Sequence, residues 1–290
     1  MTRQLQTLLK TTLLLLLLAT ASLYAGSMSV QEALNKATDY YEQKNYTEAI
    51  KYLKKSYDMG ADVTVAKNLG LAYEGLKDYP NAIKWYKKAF QMGSSDAAVG
   101  LGLLYDDSLK DYPNAIKWYK KAYQAGNSTG ALYLALLYDE TLKDYPKAIE
   151  WYKKAYAMGN QDAALDIGAL YELTLKDYPK AIEWYKKAIK QGNISARKNL
   201  GLLYHSQKDD LNSAIYMMGM INHPYTRDRV IGLLKDDWKI DHKTLLKAYQ
   251  LQKKLIPDPY TDPIFEKELH SNQSNTPKQE EKTEHKHGDK

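Results

Sequence analysis

Along most of the chain, apolar and small residues return at helical spacing, and the whole pattern then returns every 33 residues. In the clearest copy Ala164, Ile167, Gly168 and Tyr171 stand at i, i+3, i+4 and i+7, which puts them on one face of a first helix over 162–173. A second helix opens at Asp177-Tyr178-Pro179, an acceptor followed by a proline in the first turn, where the missing amide costs nothing. It runs through Ala181, Trp184, Tyr185 and Ala188 to Gly192, the residue type that most readily takes the left-handed cap. Asp-Tyr-Pro begins at Asp78, Asp111, Asp144 and Asp177, and Trp-Tyr-Lys-Lys-Ala at Trp85, Trp118, Trp151 and Trp184. A fixed period of this kind predicts stacked helix pairs, an all-α solenoid in which each repeat touches only its neighbours.

The pattern reaches back to a first pair at 30–42 and 46–57. It weakens after Asp210, where Ala214 and Ile215 hold the Ala-Ile positions but Tyr216, Met217 and Met218 replace Lys-Trp-Tyr, and Gly219 comes early. Repeats are expected over 29–220. Asn222-His223-Pro224 breaks the helix, and 221–256 is expected as a degenerate pair of capping helices. From Pro257 the composition shifts, and 257–290 is expected as a disordered polar tail.

At the other end, Arg3 and Lys10 flank a segment without acids, six consecutive leucines follow, and small residues crowd Ala19 to Ala25. This predicts a secretory signal peptide over 1–25, cleaved after Ala25, with cleavage after Ala21 open and an uncleaved membrane anchor as the alternative. The expected location is periplasmic or secreted, with no integral membrane domain once the signal is removed. The chain has no cysteine, which excludes both a lipid-modified N-terminal Cys and a disulfide scaffold. With 44% hydrophobic residues, packing alone must hold the repeats together.

A small residue three before a tyrosine marks each first helix: Gly70 and Tyr73, Gly102 and Tyr105, Ala135 and Tyr138, Gly168 and Tyr171, Gly201 and Tyr204. With the Asp-Tyr-x-x-Ala-x-x-Trp-Tyr-x-x-Ala element and the closing Gly, this resembles the tetratricopeptide repeat superfamily, and within it the Sel-1-like repeats of exported bacterial proteins, here without the cysteines. The turn at 106–110 lacks the Gly-x-Gly-Val insertion of such units. The resemblance implies a right-handed superhelical solenoid of antiparallel helix pairs whose first helices build a concave wall. It implies that Lys67, Val99, Leu132, Leu165 and Lys198, six before each repeat tyrosine, face a protein or peptide partner there. Asp106, Asp139 and Glu172, just after the tyrosine, give that groove an acidic edge suited to apolar anchors with some basic residues. Tyr133 replaces a small or polar residue at its position and is expected as an exposed anchor. The remaining tyrosines, out of 26, are expected to be structural.

Chemistry-bearing motifs are scarce. The sequence holds no Gly-rich phosphate loop, no Gly-x-Ser-x-Gly and no His-Glu-x-x-His, so no catalytic residue, metal or cofactor is expected. Ser195-Ala196-Arg197-Lys198 forms a Ser-x-x-Lys string inside a repeat helix, with no Lys-Thr-Gly or Ser-Asp-Asn to accompany it. The resemblance to exported Sel-1-like proteins, those with a Cys pair in each repeat being described as penicillin-binding, implies a β-lactam-binding or β-lactamase-like cell-wall protein as the enzymatic alternative, which the missing cysteines weaken; a membrane-tethered structural scaffold is the third. The net charge is +6, and Lys54-Lys55, Lys87-Lys88, Lys120-Lys121, Lys153-Lys154 and Lys186-Lys187 recur as a stripe. The stripe is read first as a solvated helix face and second as a weak contact for an anionic surface; nucleic acid is not expected for an exported chain. The reading as a whole is an exported adaptor or scaffold that binds a protein partner on its concave face.

Overall fold

In the computed structural model, residues 28–60, 62–221, 225–256 and 259–274 are described. The predicted signal segment, Asn222-His223-Pro224, and residues 275–290 of the predicted tail lie outside them. The described residues are all-α, with seven successive helix pairs and one further helix. The helices are α1 Val30–Glu42, α2 Tyr46–Asp58, α3 Val63–Gly75, α4 Tyr79–Gln91, α5 Ser95–Leu103, α6 Tyr112–Gln124, α7 Ser128–Leu136, α8 Tyr145–Ala157, α9 Ala163–Ala169, α10 Tyr178–Lys190, α11 Ile194–Ser206, α12 Asp210–Met218, α13 Arg227–Gly232, α14 His242–Leu255 and α15 Pro263–Ser274. They fall into two compact units, divided within α8 between Trp151 and Tyr152.

Local chemistry sets the helix ends. The Asp78 carboxylate accepts from Asn81 N at 3.3 Å and from Asn81 Nδ2 at 2.7 Å, so one side chain closes the first turn of α4 twice. Asp111 does the same for α6, and in the second unit Asp177 and Asp209 do so for α10 and α12. Gly93 and Gly192 leave their helices at φ 102° and 86°, the left-handed region that glycine enters without a Cβ penalty.

The turn inside each pair comes in two lengths. Four residues separate Tyr73 from Asp78, and the chain turns with Leu76 N on Ala72 O at 3.2 Å. Tyr105 and Asp111 are one residue further apart, and a π-helical turn over Leu104–Ser108 absorbs the addition, with Leu109 N on Leu104 O at 3.1 Å. The same device recurs at Leu137–Thr141 in the first unit and at Leu170–Thr174 and Leu233–Asp237 in the second. The predicted first helix over 162–173 is thus α9 followed by a π turn. After each turn a lysine takes positive φ: Lys44, Lys77, Lys110 and Lys143 in the first unit, Lys176, Lys208 and Lys239 in the second.

In the first unit the core is layered, with Ala49, Ala66, Leu69, Ala82 and Ala89 fully or nearly fully enclosed. Tyr86 is buried with its ring against Gly70, where an added Cβ would stand 2.5 Å from the ring. Between pairs, Tyr57 meets Trp85 edge to face at 5.2 Å, Phe90 meets Trp118 at 5.6 Å and Tyr123 meets Trp151 at 5.3 Å. In the second unit Tyr185 packs on Gly168 and Tyr156 meets Trp184 at 5.4 Å.

Two expectations need correction. The register of the sixth pair is shifted by one residue: Asp209 is the N-cap of α12, Ser213 takes the position of Ala82, and Met217 takes that of Tyr86 beneath Gly201. The expected register placed Ala214 and Ile215 at the Ala-Ile positions; the Asp209 cap and the Ser213 hydroxyl, which donates to Gly201 O at 2.9 Å, fix the observed one. The expectation of a disordered tail from Pro257 is corrected over 263–274, where α15 spans Pro263–Ser274 and is anchored through buried Tyr260, Asp262 and Phe265. Those anchors are few among polar neighbours, so composition did not register them.

Candidate functional site

The first helices of consecutive pairs leave shallow grooves between them. In the first unit a groove of about 310 Å³ runs across α3, α5 and α7, walled by Leu71, Val99, Leu103 and Tyr133 and floored by Tyr86. Lys67 and Asp96 stand at its rim, 3.9 Å apart. In the second unit a groove of about 290 Å³ lies between α11 and α13. Its Lys198, Leu202 and Leu233 repeat the positions of Lys67, Leu71 and Leu103, and Met217 replaces Tyr86 on the floor. Arg229 lines this groove with its guanidinium 4.9 Å from the centre of the Tyr225 ring, and Asp237 completes the rim.

The residues predicted to meet a partner divide accordingly. Lys67, Val99 and Tyr133 come together in the first groove, and Lys198 lines the second. Val99 is more buried than a contact residue needs to be and forms part of the core. Tyr133, expected as an exposed anchor, is half-buried with its ring stacked on Tyr119 at 5.9 Å and 17°. Leu132 and Leu165 are half-buried and line neither groove.

The acidic edge has another employment. Tyr119 donates to Asp106 at 3.3 Å, and Tyr185 donates to Glu172 at 2.6 Å, each within one helix pair. Tyr86 bonds Glu74 in the same way at 2.7 Å. Burial pushes the Tyr86, Tyr119 and Tyr185 hydroxyls far up, and the bonded carboxylates add to the shift. Burial also raises the Glu74 and Asp106 carboxyls, against the opposing effect of their tyrosine bonds. Asp139, at the same repeat position, is half-buried as well. These buried tyrosines, expected to be structural, thus tie their hydroxyls to carboxylates of the same pair.

Sequence reasoning missed Asp96, Thr129, Tyr225, Arg229 and Asp237 as groove residues. Asp96 was legible, since it stands one helical turn before Val99; the other four depend on how the next helix packs. The lysine stripe is partly committed to aromatic faces: Lys88 lies 4.9 Å from the Trp85 ring, Lys121 lies 4.3 Å from Trp118, and Lys187 lies 3.8 Å from Trp184. Ser195 is exposed in the first turn of α11. Among the described residues no group of His, Cys, Asp and Glu is placed to hold a metal ion, and no helix is long and apolar enough to cross a membrane.

Stacked two-helix repeats with grooves across their first helices define an interaction-repeat architecture. The tetratricopeptide repeat model matches residues 29–94, and the Sel1 repeat model matches 95–127, 129–160 and 162–193, so the chain belongs to the Sel1-like repeat proteins of the tetratricopeptide class. It is similar in fold to a protective antigen of uropathogenic Escherichia coli described as displaying an SLR fold, with 24% identity and a TM-score of 0.52. That match covers 89% of this chain, which spans only 58% of the antigen's structure. The C-terminal part of a TPR repeat-containing protein from Cytophaga hutchinsonii matches at 17% identity and a TM-score of 0.51, over 72% of this chain and 88% of that one. A Sel1 repeat protein from Oxalobacter formigenes shares 26% identity over 78% of this chain and 88% of its own, with a TM-score of 0.45. No curated protein matches the sequence. Repeats of this class generally mediate protein–protein interaction and are typically non-enzymatic scaffolds.

Proposed function

We propose that the chain is an exported adaptor, periplasmic or secreted, that holds a peptide segment of a protein partner against the first helices of its repeats. The observation that carries this reading is the first-unit groove, where Leu71, 37% exposed, stands beside Leu103 and Tyr133 with the Lys67–Asp96 pair at the rim. An apolar trough with a few oriented charges suits one or two apolar anchors of an extended or helical segment. Because Asp106 and Glu172 already accept tyrosine hydroxyls, the expected selectivity for basic residues recedes and the apolar anchors dominate. The chain's export rests on its first 25 residues alone, and the concave placement of the groove on the family architecture.

The test is a displayed random-peptide library selected on the mature chain, followed by affinity measurement of one selected peptide by fluorescence anisotropy. Leu71→Asp should weaken binding at least tenfold with helicity unchanged, since it places an unpaired charge against an apolar anchor. Leu132→Asp, outside the groove, should bind like the parent. Equal affinity of the Leu71→Asp variant and the parent refutes the groove assignment.

A further inference from the structure

The early glycine of the sixth pair opens a second kind of site, on the side of the second helices and within the second unit. Its neighbour α10 runs for 13 residues, whereas α12 stops after nine. One missing turn is about 6 Å of helix. The stop is built in: Arg197, buried, donates from Nη1 to Gly219 O at 2.9 Å, and Ile256 packs where a Gly219 side chain would stand. The shortfall leaves a gap of about 460 Å³ between the C-terminal ends of α10 and α14.

The gap has an apolar floor and a basic rim. Ile189, Tyr216 and Ile256 form the floor and are buried, while Leu255 stands at the edge 55% exposed. Among the described residues that line it, Lys186, Lys190 and Lys254 supply every charge and none is a carboxylate. Among the described residues none of these three ammonium groups makes an ion pair or hydrogen bond. Lys187, by contrast, is held by Glu183 and Trp184, and Lys253 is bonded to Glu266. Three exposed cations gathered around an apolar floor concentrate positive potential there and attract an anion.

We propose that this gap seats the headgroup of an anionic phospholipid at a bilayer surface, the phosphate among Lys186, Lys190 and Lys254 and the proximal acyl chain over Ile189 and Ile256. The exposed Leu255 beside the lysines favours a bilayer over an acidic peptide, because it offers an apolar tip at the depth where long lysine stems reach back to the headgroups. Within the second unit the contact lies apart from the groove between α11 and α13 and shares no lining residue with it, so it does not depend on the peptide reading.

The test is flotation of the mature full chain with phosphatidylcholine vesicles, with and without a quarter of phosphatidylglycerol. The parent should float with the anionic vesicles alone and dissociate at high salt. Combined Lys186→Gln, Lys190→Gln and Lys254→Gln should lower partitioning roughly a hundredfold, about fivefold per lysine. The single Leu255→Asp variant should also lose it with helicity unchanged, whereas Lys198→Gln, in the peptide groove, should float like the parent. Equal flotation with both vesicle types overturns the proposal, as does parent-like flotation of the triple variant. Capture of a poly-glutamate peptide by the three lysines without any flotation overturns it in favour of a protein ligand.

Discussion

The Tyr86 hydroxyl donates to the Glu74 carboxylate at 2.7 Å, joining the second helix of a pair to the end of its first. The bond closes each hairpin at a point where the backbone has just turned, and Tyr119–Asp106 and Tyr185–Glu172 repeat it. A position that looked like a partner contact is thereby a piece of the repeat framework. Tyr86→Phe should leave a half-buried carboxylate without its donor and cost about 1–3 kcal/mol. Urea unfolding followed by circular dichroism checks it: the midpoint should fall with the slope unchanged.

The same bond has a pH signature. Burial raises the Glu74 and Asp106 carboxyls above their usual range, so the folded state holds these protons more tightly than the unfolded one. The stability they contribute is fully present below the unfolded value, about 4, and is lost as pH rises through the raised folded value. Glu74→Gln removes its share of that loss. Stability measured from pH 4 to pH 7 should decline less in the variant than in the parent.

Gly168 lies against the Tyr185 ring, and a Cβ there would come within 2.5 Å of it. The ring is buried and its hydroxyl is fixed on Glu172, so it has little freedom to retreat. Gly168→Ala should therefore destabilise by about 1–3 kcal/mol despite the better helix propensity of alanine. Thermal unfolding of the variant tests this, and a melting temperature at or above the parent's would show that the ring can move.

Most of the fold was legible because the sequence repeats it. Spacing located α1, α2 and α10 to within a residue or two, and Asp78, Asp111 and Asp177 were readable as caps from the proline that follows two residues on. The π turns were not, because one added residue between Tyr105 and Asp111 looks the same as a longer loop. The sites were less legible still. A repeat position says which face a residue occupies, but Asp106 and Glu172 were claimed by tyrosines more than ten residues away, and Arg229 reached its groove from a pair with a degraded pattern. The anchoring of α15 depends on Tyr260, Asp262 and Phe265, too few to shift the composition of a polar segment.

Lys176 holds φ at 56°, one of seven lysines among the described residues in the left-handed region, where a Cβ crowds the following carbonyl. Nothing in the structure explains why lysine rather than glycine or asparagine stands there. Lys176→Gly should stabilise the protein by about 0.5–1 kcal/mol, the relief of strain outweighing the extra freedom of the unfolded chain. Lys176→Val should do the opposite, because a branched Cβ fits this conformation worst. Urea midpoints of the two variants should fall on opposite sides of the parent's.

The last helix is held by a buried polar knot. Asp262 is fully enclosed and accepts from Arg227 Nε at 2.6 Å, from the Tyr260 hydroxyl at 3.0 Å and from Ile264 N at 2.8 Å. Gln252 binds Tyr260 through both its backbone groups, and Tyr249 bonds Glu266 at 2.7 Å. Burial alone would push the Asp262 carboxyl up, but Arg227, Ile264 N and Tyr260 together hold it below the ordinary carboxylate range. A depressed value stabilises the docked state above the unfolded value, near 4, and that contribution is lost as pH falls through the folded one. Amide hydrogen exchange of 263–274 should thus stay protected down to about pH 4 and accelerate below it. Arg227→Ala should remove protection from this helix at neutral pH by about 1–3 kcal/mol while leaving α11 unchanged. Asp262→Asn should weaken docking at every pH and abolish the acid dependence. Unchanged exchange over 263–274 in Arg227→Ala would mean that Phe265 and Tyr260 dock the helix by apolar burial alone.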